Sequence, residues 1–399
     1  MTYDVDRVRA AFPALANGTA YFDGPGGTQI PRPVADAVAA AMTSGMSNRG
    51  TVTSSERKAD DVVTGARRAV ADLLGCDPGG VVFARSMTQA TYDVSRALAR
   101  HWQPGDEVVV TRLDHDANIR PWVQAAERAG ATVRWVGFDR DTGELDVEQL
   151  RAELSERTRL VAVTSASNVL GTRPDIPAIA TVVHEAGALL YVDGVHLTPH
   201  APVDVHALGA DFFACSPYKF FGPHHGLVVA SPERWETLQP DKLAPSSDAV
   251  PERFELGTLP YELLAGTTAA IDFIAGLASD ARDRRARLLQ SMQAVEEHEA
   301  RLLRRLVDGL ADIPGLRTYG DPARRTPTAY FSLAGAEPRE VHAHLATLGV
   351  NAPASHFYAI EASRWLGLGD TGAVRAGLAA YSTDDDVDRL LDGLARLNG

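Results

Sequence analysis

Leu189-Leu190-Tyr191-Val192-Asp193-Gly194-Val195-His196 decides how this chain folds, because an unbroken apolar run stops abruptly on a carboxylate. Short runs of this kind are strands buried on both faces between layers of helix. Ligands of such sheets sit at the carboxyl ends of the strands, where Asp193 falls. An Asp in this position equally serves as a cap for the next helix, so its meaning depends on the residues after it. Phe212-Phe213-Ala214-Cys215-Ser216-Pro217-Tyr218-Lys219 repeats the pattern, with a buried run ending at Ser216 and Lys219 just beyond it.

Working outward, residues 81–84, 107–111, 133–136, 160–164 and 226–230 read as further strands, and segments such as 62–74 and 90–99 carry helical periodicity between them. Strands alternating with helices predict a mostly parallel sheet covered on both faces. After about residue 260 the pattern changes. Leu288, Met292, Val295, Leu302, Leu306 and Leu310 predict one long amphipathic helix. Thr383 and Asp386 look like a capping box, opening a closing helix striped by Val387, Leu390, Leu391 and Leu394. The expected organisation is a large α/β domain over residues 20–260 and a smaller α+β domain from 1–19 and 261–399.

Composition narrows the function classes. The net charge of −13 opposes a nucleic-acid or anionic-membrane partner, since a phosphate surface would repel it. No apolar run approaches the roughly 18 residues of a membrane span, and the charged, amphipathic start is unlike a secretory signal. Cys76 and Cys215 are the only cysteines, too few for a disulfide framework, so a reducing cytoplasm is the default expectation.

Lys219 carries the chemistry most directly. A lysine at a sheet edge loses its proton more easily once burial strips its water, and it becomes a nucleophile toward an aldehyde. Standing alone it would read as a solvated loop lysine. Ser216–Lys219 also fits S-x-x-K, but the companion S-D-N and K-T-G motifs of serine β-lactam enzymes do not occur. After the run at 81–84, Arg85-Ser86-Met87-Thr88-Gln89-Ala90 turns into a helix whose first N–H groups suit a phosphate, although a plain Ser cap would look the same. Gly24-Pro25-Gly26-Gly27 fails the dinucleotide fingerprint G-x-G-x-x-G at Gln29. Asp114-His115-Asp116 lacks the spacing of a metal site, and His115 better suits a ring lying over a planar cofactor.

Taken in order, these pieces resemble the class V aminotransferase family of pyridoxal 5′-phosphate (PLP) enzymes, fold type I, and within it the cysteine desulfurase/selenocysteine lyase branch. The resemblance runs from Tyr21-Phe22-Asp23 to the end of the chain. The family pattern E-H-x-A-N matches 114–118, and S-N-V-L-G-T matches 167–172. V-D-G-A-Q matches 192–196, and S-x-H-K matches 216–219. The resemblance implies that Lys219 holds PLP as a Schiff base, Asp193 pairs with the pyridine nitrogen, and His115 stacks on the ring. It implies phosphate contacts from Met87, Thr88, Ser216 and Tyr218, the last in place of a histidine, and a contact from His196 to the phenolic oxygen in place of glutamine. Asn168 and Arg375 would hold the substrate carboxylate. Phe254-Glu255-Leu256-Gly257-Thr258 resembles the segment that lends a phosphate contact, here from Thr258, to a neighbouring subunit, so a homodimer with shared active sites is expected.

One departure limits what carries over. Desulfurases close their mobile loop with R-x-G-H-H-C-A, whereas this chain has Pro353-Ala354-Ser355-His356-Phe357-Tyr358-Ala359. Tyr358 stands where the persulfide-forming cysteine would be, and a phenol does not take sulfur as a thiolate does. The expected function is a desulfurase-like C–S β-elimination lyase without persulfide transfer. It would act on an amino acid through an external aldimine and an α-carbanion, with Tyr358 or His356 protonating the leaving group or shaping the pocket. Aminotransferase or epimerase chemistry is the alternative, and a non-catalytic PLP-fold sensor or scaffold a minor one.

Overall fold

The computed structural model describes residues 3–397. Seven strands form the principal sheet, in the spatial order Val81–Ala84, Gly226–Val229, Phe212–Cys215, Leu189–Asp193, Thr158–Thr164, Glu107–Thr111 and Thr132–Val136. From Thr132–Val136 through Phe212–Cys215 all neighbours are parallel, while Gly226–Val229 runs antiparallel to both of its partners. This is the mostly parallel sheet of fold type I. The absence of polar alternation now has its cause. Val109, Val161, Val163, Leu190 and Val192 pack into one apolar cluster, while Val108, Val110, Leu160, Ala162 and Tyr191 pack into another on the opposite face. Only the edge strand Thr132–Val136 alternates exposed and part-buried positions.

A second, antiparallel sheet has the order Ala354–Ser355, Ala373–Gly377, Thr328–Leu333, Leu316–Thr318. The predicted long helix spans Arg284–Ala311 and is capped by Asp283, whose carboxylate accepts from Ala286 N–H. Its apolar stripe serves two cores. Leu288, Met292 and Val295 join the core of the large sheet, while Leu302, Leu303, Leu306 and Leu310 join that of the small one. The Tyr261–Ala275 helix packs against Arg32–Thr43 and Ser54–Leu74. Near the N-terminus, Val8, Phe12 and Leu15 enter the larger core, whereas Ala20 and Phe22 enter the smaller. The larger core therefore takes residues from before position 20 and after position 260, and the smaller takes Ala20 and Phe22 from before position 260.

The closing helix is Asp384–Leu397. Thr383 N–H donates to Asp386 Oδ2 at 2.9 Å, and Asp386 N–H donates back to Thr383 Oγ1 at 3.3 Å, as the capping-box reading expects. Among the described residues no helix is long and apolar enough to cross a membrane.

Candidate active site

Strand ends of the large sheet and loops of the small unit enclose a cavity of about 690 Å³. Lys219, Asp193, His115, His196, Met87, Thr88, Ser216, Tyr218, Asn168, His356, Tyr358 and Arg375 all line it. Thr258 does not; it is exposed on a turn beyond the Glu252–Phe254 segment, whose neighbour Glu255 is buried against Arg67.

Asp193 ends its strand with only 4% of its surface exposed, and its Oδ1 accepts from Val195 N–H at 2.9 Å. Burial pushes its carboxyl up to about 6, partly offset by that hydrogen bond and by Lys219. Lys219 sits in a short turn after the next strand, buried, with Nζ donating to the Pro25 carbonyl. Burial brings its ammonium down to about 7, with Arg375 adding to the effect and Asp193 opposing it. The amine is thus poised near neutrality, as a nucleophile or proton acceptor requires.

His115 follows the strand Glu107–Thr111. Its Nδ1 accepts from Ala117 N–H at 3.0 Å, which leaves the ring hydrogen on Nε2. Burial first, then Lys219 and Arg375, bring its imidazolium down to about 3, so the ring is neutral and its face is suited to stacking. The outer neighbour of that ring is Tyr358, stacked at 5.5 Å between centroids. Below His115, Asp114 is fully buried. Its carboxylate accepts from Thr111 Oγ1 and, at 2.7 Å, from Asn118 Nδ2, and burial pushes it up to about 8.

The helix start beside the cavity is built by close approach. The helix Met87–Ala99 is capped by Ser86, whose Oγ accepts from Gln89 N–H at 3.1 Å, so the plain-cap reading of that hydroxyl is realised. Gly226 lies under the helix start, where a Cβ would come within 1.9 Å of Met87 N. Tyr218 stacks flat on His224, with centroids 4.7 Å apart.

Arg375 comes from the small sheet and is 2% exposed. Its Nη1 donates to the Asn168 carbonyl at 3.0 Å, Phe357 lies over its face at 3.7 Å, and its Nε has no partner. A ring on the face leaves the in-plane edge free for a carboxylate. Burial brings this guanidinium down to about 9. Asn168 Nδ2 donates to the Phe357 carbonyl at 3.0 Å, while its Oδ1 is buried without a partner. Phe357 and Tyr358 both hold left-handed backbone, with φ of 50° and 58°. The Tyr358 side chain is 70% exposed at the cavity mouth.

Several lining residues escaped the sequence reading. Pro25 and Gly26 form one wall, Tyr92, Asp116 and Arg120 part of the rim, and Phe357 the cover of Arg375. The Gly24–Gly27 run is the one visible signal, since three glycines in four positions permit close backbone approach. Neither cysteine lines the cavity. Cys215 is buried in the core of the sheet, and Cys76 lies at a separate groove with Arg68 and Arg285.

A family model described as Aminotransferase class-V matches residues 20–390. The chain is 38% identical to the uncharacterized protein MT3887 of Mycobacterium tuberculosis, over the full length of both. It is 34% identical to a cysteine desulfurase of Dickeya dadantii, covering 99% of this chain and 97% of the other. The structure of a cysteine desulfurase from Thermococcus onnurineus NA1 superimposes with a TM-score of 0.90 at 25% identity, covering 100% and 98% of the two chains.

Proposed function

The chain belongs to the class V aminotransferase family and is a PLP-dependent enzyme, and from that premise we propose that it cleaves a carbon–sulfur bond of a cysteine-type amino acid without forming an enzyme persulfide. The cofactor fits the residues present. A buried carboxylate and a buried lysine face one cavity, flanked by a neutral imidazole ring and a helix start, and the buried Nδ1 of His196 lacks a protein partner. Asp193 would pair with the ring nitrogen, His115 would cover the ring, and His196 would meet the phenolic oxygen. Met87, Thr88, Ser216 and Tyr218 would hold the phosphate, joined by Thr258 of a second copy of the chain in a homodimer. When bound, PLP supplies an electron-poor ring that accepts the electron pair released at the substrate α-carbon.

The chain's own groups do the rest. Arg375 holds the substrate carboxylate through its free edge, and Asn168 sits beside it. This fixes the α-carbon near Lys219 Nζ, which takes the α-proton. The leaving group then departs toward the mouth, where Tyr358 and His356 stand to shape its path or protonate it.

One observation carries the reading: the residue facing His115 at the mouth is a tyrosine, and both cysteines lie elsewhere. Incubation with S-substituted cysteines tests it. Pyruvate and ammonia formed without any keto-acid acceptor are the expected products. Amine transfer that requires an acceptor, or racemisation alone, would replace the proposal with transamination or epimerisation. Lys219→Ala is expected to abolish both the visible band of the lysine-bound cofactor and its fixation by borohydride.

A further inference from the structure

His196 stands at the head of a buried polar column that the proton transfers at Lys219 do not use. Its ring is 3% exposed, and its Nε2 lies 3.0 Å from Thr328 Oγ1. His200, four residues further on, meets that ring edge-on at 5.0 Å between centroids. Behind it, His200 Nδ1 lies 2.9 Å from Glu299 Oε2, and both side chains are almost wholly buried. Glu299 comes from the long helix Arg284–Ala311, and Thr328 from the small sheet. Buried polar groups are costly unless each has a partner, so a chain of three ionisable side chains inside the molecule points to a use.

We propose that Glu299 and His200 are positioning residues that act through His196, fixing the ring orientation in which its Nδ1 meets the cofactor. This rests on the proposed placement of His196 beside the phenolic oxygen. The 2.9 Å contact between Glu299 Oε2 and His200 Nδ1 locks the His200 ring. That ring and Thr328 together leave the His196 imidazole a single orientation and one outward nitrogen. An imidazole in this place can turn either ring nitrogen toward the cofactor, so its orientation needs setting. The charged or titratable groups facing His196 are His200, Arg375 and Lys219, and with burial these keep it neutral. Those facing Glu299 are His200, Glu296 on its own helix and Tyr3 from the N-terminal segment.

The test is the visible absorbance profile of the PLP-loaded protein across pH, in wild type, Glu299→Gln, His196→Gln and the double variant. Glu299→Gln is expected to move the profile's midpoint by about threefold or more in apparent proton affinity, and to have no such effect once His196 is glutamine. A Glu299→Gln profile that superimposes on wild type overturns the proposal, as does an equal shift in both backgrounds. Should Glu299→Gln not fold, Thr328→Val removes the other constraint on His196 and is read by the same two criteria. Failure of the cofactor assignment would show separately, as a band that persists in Lys219→Ala.

Discussion

Lys219 owes its lowered basicity to its place just after a strand end. A lysine one turn earlier, at Cys215, would stand in the sheet core. At the observed position the ammonium is brought down to about 7 by burial and by Arg375. The sign is simple: below that pH the amine is protonated and inert toward an aldehyde, and above it the amine is free. The rate at which cofactor-free protein captures added PLP is expected to rise about tenfold per pH unit below 7 and to level off above, which stopped-flow absorbance will record. The same displacement links pH to stability. The folded chain gives up the lysine proton at about 7, whereas the unfolded chain keeps it up to the ordinary value of 10.5. Between those values the unfolded state binds more protons, so folding gains stability as the pH rises. Lys219→Met is expected to flatten that rise in denaturant titrations of the cofactor-free protein.

At the scale of elements, the proposed phosphate end depends on a strand passing directly beneath a helix start. Gly226→Ala would drive a methyl into Met87 N. The helix must then lift or the strand must bend, and PLP affinity is expected to fall at least tenfold by fluorescence titration, with the melting temperature reduced. The strands were legible because their apolar runs are buried on both sides. The reversed direction of Gly226–Val229 was not, since such a run reads alike either way. The helix predicted from residue 62 starts at Ser54, because its first turns, Ser55-Glu56-Arg57-Lys58, are polar and show no stripe. Its start was nevertheless written in Thr53 and Glu56, which form a full capping box. Lys219, Asp193 and His115 were visible because strand ends mark them. Tyr92 and Arg120 lie on helices whose periodicity marks the core face and not the cavity, and Phe357 reaches it from a loop with no pattern of its own. Glu299 sits inside a helical stripe of leucines, where a glutamate reads as solvated until the packing shows otherwise.

At the scale of the whole molecule, the segment carrying Thr258 is anchored by a buried ion pair. Arg67 Nη2 lies 2.8 Å from Glu255 Oε2, and the other Glu255 oxygen accepts from Phe83 N–H at 3.0 Å. Glu255→Ala leaves the buried Arg67 guanidinium only the Val81 carbonyl and a longer contact to Glu252 at 3.4 Å, and is expected to cost about 3 kcal/mol in denaturant unfolding. If Thr258 serves a second copy, the same variant will also weaken self-association by sedimentation. Thr258→Ala, which leaves a surface turn otherwise intact, will weaken PLP binding only in the associated form. The 28-residue helix Arg284–Ala311 has its two ends sunk in different cores. It works as an axle of about 40 Å running through both halves. Lys219 rides on one half and Arg375 on the other, and the axle is one stiff tie between them. Such a tie resists any change in their separation.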